Sequence, residues 1–178
     1  GDGMKEQRKE SVEFRYYEMP QGMPVLALLG ERWEVPYGRD AMHFHNYLEI
    51  GYCYDGEGTV YLGEETFSYG PGTMTVIPRN FPHHTVGIDS EPQKWEYLFI
   101  DSEGILQGAF ANKPRTAEKL LERLHERMYV LPHGTAPETE ALLKMIFEEM
   151  RERRELYGEV VRGELLAFLL ELIRQNPR

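Results

Sequence analysis

The sequence lacks several features that would assign the chain to a common functional class. It has one cysteine in 178 residues, Cys53, so a framework of disulfide bonds is excluded. No apolar run approaches the roughly 18 residues that cross a bilayer, and the longest, residues 165–173, is interrupted by Glu171. Residues 1–10 are polar and lack the apolar core of a signal peptide, so we expect a cytoplasmic protein without a membrane partner.

Positive charge is also scarce. The chain has 20 lysine and arginine residues against 30 aspartate and glutamate residues, and its formal net charge is −10. Proteins bind nucleic acids largely by neutralising phosphates with basic side chains, so this chain alone is a poor candidate for a DNA-binding module. The motifs G-x-x-x-x-G-K-[ST] and G-x-S-x-G are absent as well. A binding role is therefore expected ahead of an enzymatic one.

The pattern of apolar residues changes near residue 101. Before it, short apolar runs are separated by Gly, Pro, Asp and Asn, which predicts strands arranged as a sandwich or barrel. No helix-length segment separates the runs, so a doubly wound parallel sheet is not expected. The predicted strands are residues 25–29, 32–35, 47–54, 59–62, 66–69, 73–77, 84–88 and 95–100.

From residue 116 to residue 175 the apolar residues have helical spacing, after a predicted loop at residues 102–116. The first predicted helix carries apolar residues from 117 to 128. The second begins with a capping box at Thr135 and has Pro137 in its first turn. The third covers residues 159–173 and follows a break at Gly158.

The third helix is apolar on two sides. One stripe consists of Val161, Leu165, Phe168, Leu169 and Leu172, and the other consists of Leu166, Leu170 and Ile173. A helix with two apolar sides has more than one packing partner. We expect one stripe to pack within the chain and the other to form the seam of a homodimer. The alternative is that both are covered within the monomer.

The candidate site is formed by two short motifs some 35 residues apart. His43, His45 and Glu49 share the parity of an extended strand, so their side chains are expected to point to one face. His83 follows a proline-containing turn that could direct it to the same place. His84 is the alternative, because neighbouring strand residues face opposite ways. Three imidazoles and a carboxylate suit Fe, Mn, Ni, Cu or Zn, and the ligand types do not choose among these metals.

Two other interpretations of these residues stay open. With Tyr52, Trp95 and Tyr97 as aromatic walls, the histidines and Glu49 could hydrogen-bond a polar small molecule without any metal. The imidazoles and the carboxylate could also satisfy one another and have only a structural role. The aromatic side chains, in turn, could belong to the core and contact no ligand.

Two motifs resemble those of the cupin superfamily. They are His43-x-His45-x₃-Glu49-x₆-Gly56 and, more loosely, Gly72-x₅-Pro78-x₄-His83. The resemblance implies a small antiparallel β-barrel of the double-stranded β-helix or jelly-roll type. In metal-binding cupins the equivalents of His43, His45, Glu49 and His83 are the four metal ligands, so a divalent transition metal is a possible cofactor here.

A narrower resemblance is to the N-terminal sensor domain of AraC-family transcription regulators. It rests, in order, on His-x-His-x-x-x-Glu-Ile, Gly-x-Gly-Thr-Val, residues 69–83 and residues 95–100. In that family the barrel is followed by helices that pack on it and mediate dimerisation, and two helix-turn-helix motifs lie further on. The resemblance covers residues 24–175, and the chain ends at Arg178 without that basic pair of motifs.

The sequence thus predicts a mainly β protein with C-terminal helices. A cupin-type antiparallel β-barrel over residues 12–104 would bind the ligand, and a helical unit over residues 114–176 would pack on it and dimerise. We expect the chain to sense a small-molecule effector as the sensor half of an AraC-type regulator, and to meet DNA only through a domain outside this chain. The alternative is a free-standing, metal-dependent cupin enzyme such as a dioxygenase or an isomerase. A third hypothesis gives the helices a role only as a dimerising module.

Overall fold

The computed structural model describes residues 12–15, 19–30, 34–35, 42–45, 47–88 and 93–176, and it describes the backbone alone at 12–15, 34–35 and 42–45. The strands are β1 (Val12–Arg15), β2 (Val25–Leu28), β3 (Glu34–Val35), β4 (Met42–His45), β5 (Leu48–Asp55), β6 (Gly58–Leu62), β7 (Glu65–Tyr69), β8 (Met74–Ile77), β9 (His83–Gly87), β10 (Gln93–Ile100) and β11 (Tyr129–Leu131). The helices are α1 (Ser102–Ala109), α2 (Pro114–Leu124), α3 (Pro137–Glu152) and α4 (Tyr157–Gln175). The predicted change from strands to helices is confirmed.

The strands form two sheets that pack face to face. One has the order β1-β4-β9-β6-β7, and the other has the order β11-β8-β5-β10-β2 with β3 also paired to β10. The ladders are antiparallel except for the parallel pair of β1 and β4. Within the described residues no ladder joins the two sheets. The architecture there is a two-sheet sandwich, and the closed barrel that the sequence predicts is not observed.

Strands β5 and β10 are buried on both faces. Leu48 and Leu98 point away from the facing sheet and belong to the core beneath the helices. Cys53 and Trp95 lie opposite each other on the inner face, in the core between the sheets. Successive strand residues face opposite sides, so the sequence of a strand that is covered on both sides is apolar at nearly every position.

The helices share one core with the outer face of the six-stranded sheet. Helix α4 buries its entire first stripe, and five of its residues are 0 % exposed: Val161, Leu165, Phe168, Leu169 and Leu172. In the second stripe Ile173 is buried, while Leu166 and Leu170 are half-buried against the same core. The first stripe is therefore an intrachain packing surface. None of the helices in the described ranges is long and apolar enough to cross a membrane.

The loop predicted at residues 102–116 is wrong, because α1 occupies its first half. Asp101 caps this helix, and its Oδ1 accepts a hydrogen bond from the Gly104 N–H over 3.0 Å. Leu106 is 0 % exposed and anchors the helix in the main core. Gly104 and Gly108 weaken the helical signal in the sequence, and the cap and the buried leucine compensate for them.

The turn into helix α3 differs from the predicted capping box. The helix begins at Pro137, and its N-cap residue is Ala136, which has no side-chain capping hydrogen bond. The Thr135 hydroxyl instead donates a hydrogen bond to the Pro132 carbonyl oxygen over 2.7 Å. Threonine side chains readily make such local bonds in turns, in competition with capping. Just before this turn, β11 pairs with β8 and adds an unpredicted strand to the edge of the six-stranded sheet.

The break before α4 also lies elsewhere than predicted. Gly158 is inside the helix, near its start. The chain turns at Arg153 and Leu156, which have left-handed φ angles of 51° and 64°. Non-glycine residues adopt such angles only when surrounding contacts hold them there. The sequence offers no glycine at either position, which is why the break is not visible in it.

A buried carboxylate attaches helix α3 to the six-stranded sheet. Glu96, on the outer face of β10, is 5 % exposed. Arg151 donates to its Oε2 over 2.8 Å and to its Oε1 over 3.0 Å. The Tyr54 hydroxyl donates over 2.6 Å and the Gly30 N–H over 2.8 Å. Burial would raise the pKa of Glu96, and the hydrogen bonds from Arg151, Tyr54 and Gly30 outweigh it and hold that pKa below its usual value.

We predict that Arg151→Met lowers the free energy of unfolding at pH 7 by about 1–2 kcal/mol, because a buried carboxylate loses its charged donor. The figure is discounted because the Arg151 side chain is 43 % exposed. Folding lowers the pKa of Glu96, so this contribution is complete above the unfolded pKa of about 4.3 and is lost as the pH falls through the folded pKa. Urea denaturation at several pH values measures it.

Arg154→Met is the matched control. Arg154 pairs with Glu149 over 2.9 Å, and its side chain is 67 % exposed. Exposed ion pairs contribute little because water and salt screen them, so this substitution is expected to change stability much less. Equal losses in the two variants would contradict the role assigned to Glu96.

Candidate functional site

Glu49 and His83 meet between the two sheets. His83 Nε2 lies 3.5 Å from Glu49 Oε2, and both side chains are almost fully buried. Glu49 is the second residue of β5 and His83 is the first residue of β9, so each sheet contributes one partner. The structure thus brings together two of the residues that the sequence selects. We call them the Glu49–His83 pair.

A backbone carbonyl orients the imidazole of His83. Its Nδ1 lies 3.0 Å from the Phe81 carbonyl oxygen. A carbonyl oxygen only accepts hydrogen bonds, so Nδ1 carries a proton and donates it. The ring nitrogen that faces Glu49 is then Nε2. Histidine ligands of metals are commonly held in this way, with one ring N–H on a carbonyl and the other nitrogen directed at the metal.

The Glu49–His83 pair fits half of the predicted metal site. Two ligand atoms at about 2.1 Å from one ion lie roughly 3.0–3.4 Å apart, close to the 3.5 Å between His83 Nε2 and Glu49 Oε2. The backbone of His43 lies opposite His83 in the ladder of β4 and β9. The side chains of His43 and His45 lie outside the described part of the chain. Among the side chains that the structure describes, no three His, Cys, Asp or Glu residues form a group that could hold a metal. The four-residue set stays a prediction.

The shared parity of His43, His45 and Glu49 suggests a single strand, but the three residues lie on two. Strand β4 ends at His45 in the five-stranded sheet, and β5 begins at Leu48 in the six-stranded sheet. The chain therefore passes from one sheet to the other between the histidines and the glutamate. No glycine or proline stands between them, so the sequence gives no sign of this crossing.

Tyr52 and His84 lie away from the pair. The His84 ring stacks on Tyr61 with the ring centroids 4.7 Å apart, and alternation along β9 places it on the opposite face from His83. Tyr52 is on the helix side of β5, where its hydroxyl donates a 2.5 Å hydrogen bond to Glu140 Oε1. Burial, and then this hydrogen bond, raise the pKa of Tyr52 well above its usual value. The structure therefore does not bring Tyr52 to the Glu49–His83 pair.

Trp95 and Tyr97 lie on the inner face of β10. Their rings stack with centroids 5.8 Å apart, and Tyr97 in turn stacks on Phe99 at 6.5 Å. Phe99 is opposite Glu49 in the ladder of β5 and β10, so the aromatic row leads to the Glu49–His83 pair. Gly51 makes room for this row, since a Cβ atom there would come within 3.0 Å of the Tyr97 ring. In the described structure the indole N–H of Trp95 has no hydrogen-bond partner.

A cavity of about 760 Å³ opens at the edge of the sandwich. This volume lies in the range of small-molecule sites. Most of its walls are apolar, and the lining residues include Leu62, Phe67, Phe81, Met128, Val130 and Arg127. Leu62 is opposite His83 in the ladder of β6 and β9, so the cavity adjoins the Glu49–His83 pair. The sequence does not reveal it, because ordinary apolar residues from several distant segments form its walls.

The sequence model of the AraC-like ligand binding domain family matches residues 25–173. The chain belongs to this family. The match runs from β2 to the last turn of α4, so the AraC-like domain includes both sheets and the helices packed on them. The predicted relationship to AraC-family sensor domains is confirmed. A comparison with curated proteins gives no match.

Several solved structures are similar to this chain. An apo variant of ToxT from Vibrio cholerae has a TM-score of 0.62 and 8% identity over 87% of this chain and 58% of that one. A second ToxT crystal form has a TM-score of 0.51 and 12% identity over 85% of this chain and 55% of that one. The AraC-like transcriptional activator CuxR has a TM-score of 0.45 and 16% identity over 70% of this chain and 42% of that one. The ToxT likeness shows the fold alone, and this chain spans just over half of the ToxT chains.

Cys53 is predicted to be unreactive in the folded domain. It is 0 % exposed, and burial raises the pKa of its thiol to about 12. The thiolate is the nucleophilic form, so iodoacetamide at pH 8 should leave the folded protein unmodified and alkylate it once in denaturant. Intact-protein mass spectrometry measures both. Rapid alkylation without denaturant would show that the inner core opens to solvent.

Proposed function

We propose that the chain is the effector-binding and dimerisation domain of an AraC-type transcription regulator. A small molecule would be sensed between the two sheets, and DNA would be bound by a domain outside this chain, in the cytoplasm. The family match across both sheets and the helices is the observation that carries the proposal. The net charge of −10 is consistent with it, since this part alone is poorly suited to contact phosphates.

The proposed signal passes from the inner to the outer face of β5 and β10. Their inner faces bear the Glu49–His83 pair and the aromatic row, and their outer faces bear the helices. Tyr52 and Glu96 connect these strands to Glu140 and Arg151 of α3. An effector that binds one arrangement of strands and helices more tightly shifts the population towards it. That shift would change how the helices present the DNA-binding domain.

We place the dimer contact on exposed apolar side chains of α3 and α4. Met145 is 52 % exposed and Val160 is 41 % exposed, and Leu156, just before α4, is 64 % exposed. Leu165 and Leu169 of the first stripe are unsuitable for this contact, because both are fully buried within the chain. Apolar side chains left in water by the monomer gain stability when a partner covers them.

The double substitution Met145→Glu with Val160→Glu is expected to weaken the dimer at least tenfold, because it places charges in an apolar contact. Sedimentation equilibrium measures the dissociation constant. Ile88→Glu is the matched control, since Ile88 is 67 % exposed near the end of β9. A monomeric wild-type chain, or a dimer that the double substitution leaves unchanged, would refute this part of the proposal.

A metal-dependent cupin enzyme, such as a dioxygenase or an isomerase, is the second candidate. The orientation of His83 by the Phe81 carbonyl, with Nε2 towards Glu49, favours it. Fe, Mn, Ni, Cu or Zn would be held by Glu49 and His83 together with His43 and His45. Such an ion would supply activation of water or dioxygen.

Metal analysis tests the enzyme candidate. If the candidate is right, the wild type and His84→Ala each retain about one equivalent of metal after dialysis, and His83→Ala loses it. Each variant removes one buried imidazole, and the two imidazoles lie on opposite faces of the same strand, so the effects on folding are matched. Inductively coupled plasma mass spectrometry gives the content. A metal-free wild type, or equal contents in both variants, would eliminate the candidate and leave the sensor proposal intact.

A further inference from the structure

The cavity lies between two sheet edges. Strand β7 is the last strand of the five-stranded sheet, and β11 is the last strand of the six-stranded sheet. Leu62 and Phe67 line one side, and Met128 and Val130 line the other. Leu62 belongs to the inner core, and Phe67 and Met128 pack against it. The cavity is therefore an opening into the space between the sheets, with apolar walls on both sides.

One basic side chain stands among the residues that line the cavity. Arg127 Nε donates a hydrogen bond to Asn176 Oδ1 over 2.9 Å, and Asn176 Nδ2 donates to the Arg123 carbonyl oxygen over 2.9 Å. Asn176 is 6 % exposed, so a buried amide positions the guanidinium. Arginine has only donors and stays charged, and its planar fork matches a carboxylate.

The remaining charges at the cavity restrict the ligand further. Glu64 lies in the turn between β6 and β7, and Glu65 is the first residue of β7; both are exposed and line the cavity. They repel anions, and solvent screens them as it screens Arg127, which is also exposed. A ligand with one carboxylate can place it at Arg127 and leave the acidic side in water. A second negative charge on the ligand would have no basic partner among the residues that line the described cavity.

We propose that this cavity is the effector site and that it takes an organic acid with an apolar body and a single carboxylate. The body lies between β7 and β11, and the carboxylate lies on Arg127. The term effector rests on the function proposed above, whereas the binding of the acid does not. The volume of about 760 Å³ accommodates a ligand of ordinary metabolite size.

The position of the cavity connects its occupant to the helices. Strand β11 has three residues and, among the strands that the structure describes, pairs only with β8; a short turn joins it to α3. Gln175, at the end of α4, also lines the cavity. A bound acid would therefore contact the strand that precedes α3 and the last residue of α4, the two helices on which we place the dimer contact.

Binding of octanoate, compared with octan-1-ol and octylamine, tests the proposal. Methyl-labelled methionine makes Met128 a reporter in the cavity wall. Octanoate should shift the Met128 methyl resonance in a saturable manner. Arg127→Gln should weaken octanoate at least tenfold and octan-1-ol little, because only the carboxylate uses the guanidinium. Arg115→Gln, on the exposed side of α2, is the matched charge control.

Three outcomes would overturn the proposal, and the wild type alone can give each of them. They are equal affinity for octanoate and octan-1-ol, tighter binding of octylamine, and no octanoate-dependent shift of Met128. Sedimentation separates this proposal from the sensor function. If octanoate binds but does not change the self-association of the chain, the acid site stands and the sensor function is contradicted. If octanoate does not bind and a different compound changes the self-association, the sensor function stands and the acid site is refuted.

Discussion

The burial of β5 and β10 on both faces is the constraint on which the rest of the structure depends. Full burial of a large apolar side chain contributes about 1.5–3 kcal/mol. These strands contribute buried apolar side chains to two cores at once, such as Leu48 and Leu98 to the outer core and Cys53 and Trp95 to the inner core. The inner core holds the sheets together and surrounds the Glu49–His83 pair. The outer core holds the helices. Because the two cores share one backbone, a displacement on one side must be accommodated on the other.

Apolar packing is not directional, and polar contacts supply the register that it lacks. Glu96 receives donors from α3, from β5 and from the chain that follows β2, and Tyr52 reaches α3 at a second point. Hydrogen bonds at two points fix both the position and the rotation of α3 relative to β5. Glu96 is buried, so each of its bonds is stronger than it would be in water.

The sequence predicts the strands well, because their signals are local. Alternating apolar runs bounded by Gly, Pro and Asp place every predicted strand within two residues of an observed one. The failures arise where distant contacts decide the structure. Helix α1 forms despite Gly104 and Gly108 because Leu106 reaches the core. Strand β11 exists because β8 offers it an edge. Glu49 and His83 could be selected as polar residues in an apolar context, whereas Arg127 is one charge among many on a charged segment.

One peptide group joins the two parts of the candidate site. The Phe81 carbonyl oxygen holds the Nδ1 proton of His83, and Phe81 also lines the cavity. Pro82 follows and restricts the backbone torsions between the Phe81 carbonyl and His83. A molecule in the cavity that displaced the Phe81 backbone would therefore disturb the hydrogen bond that orients the imidazole towards Glu49.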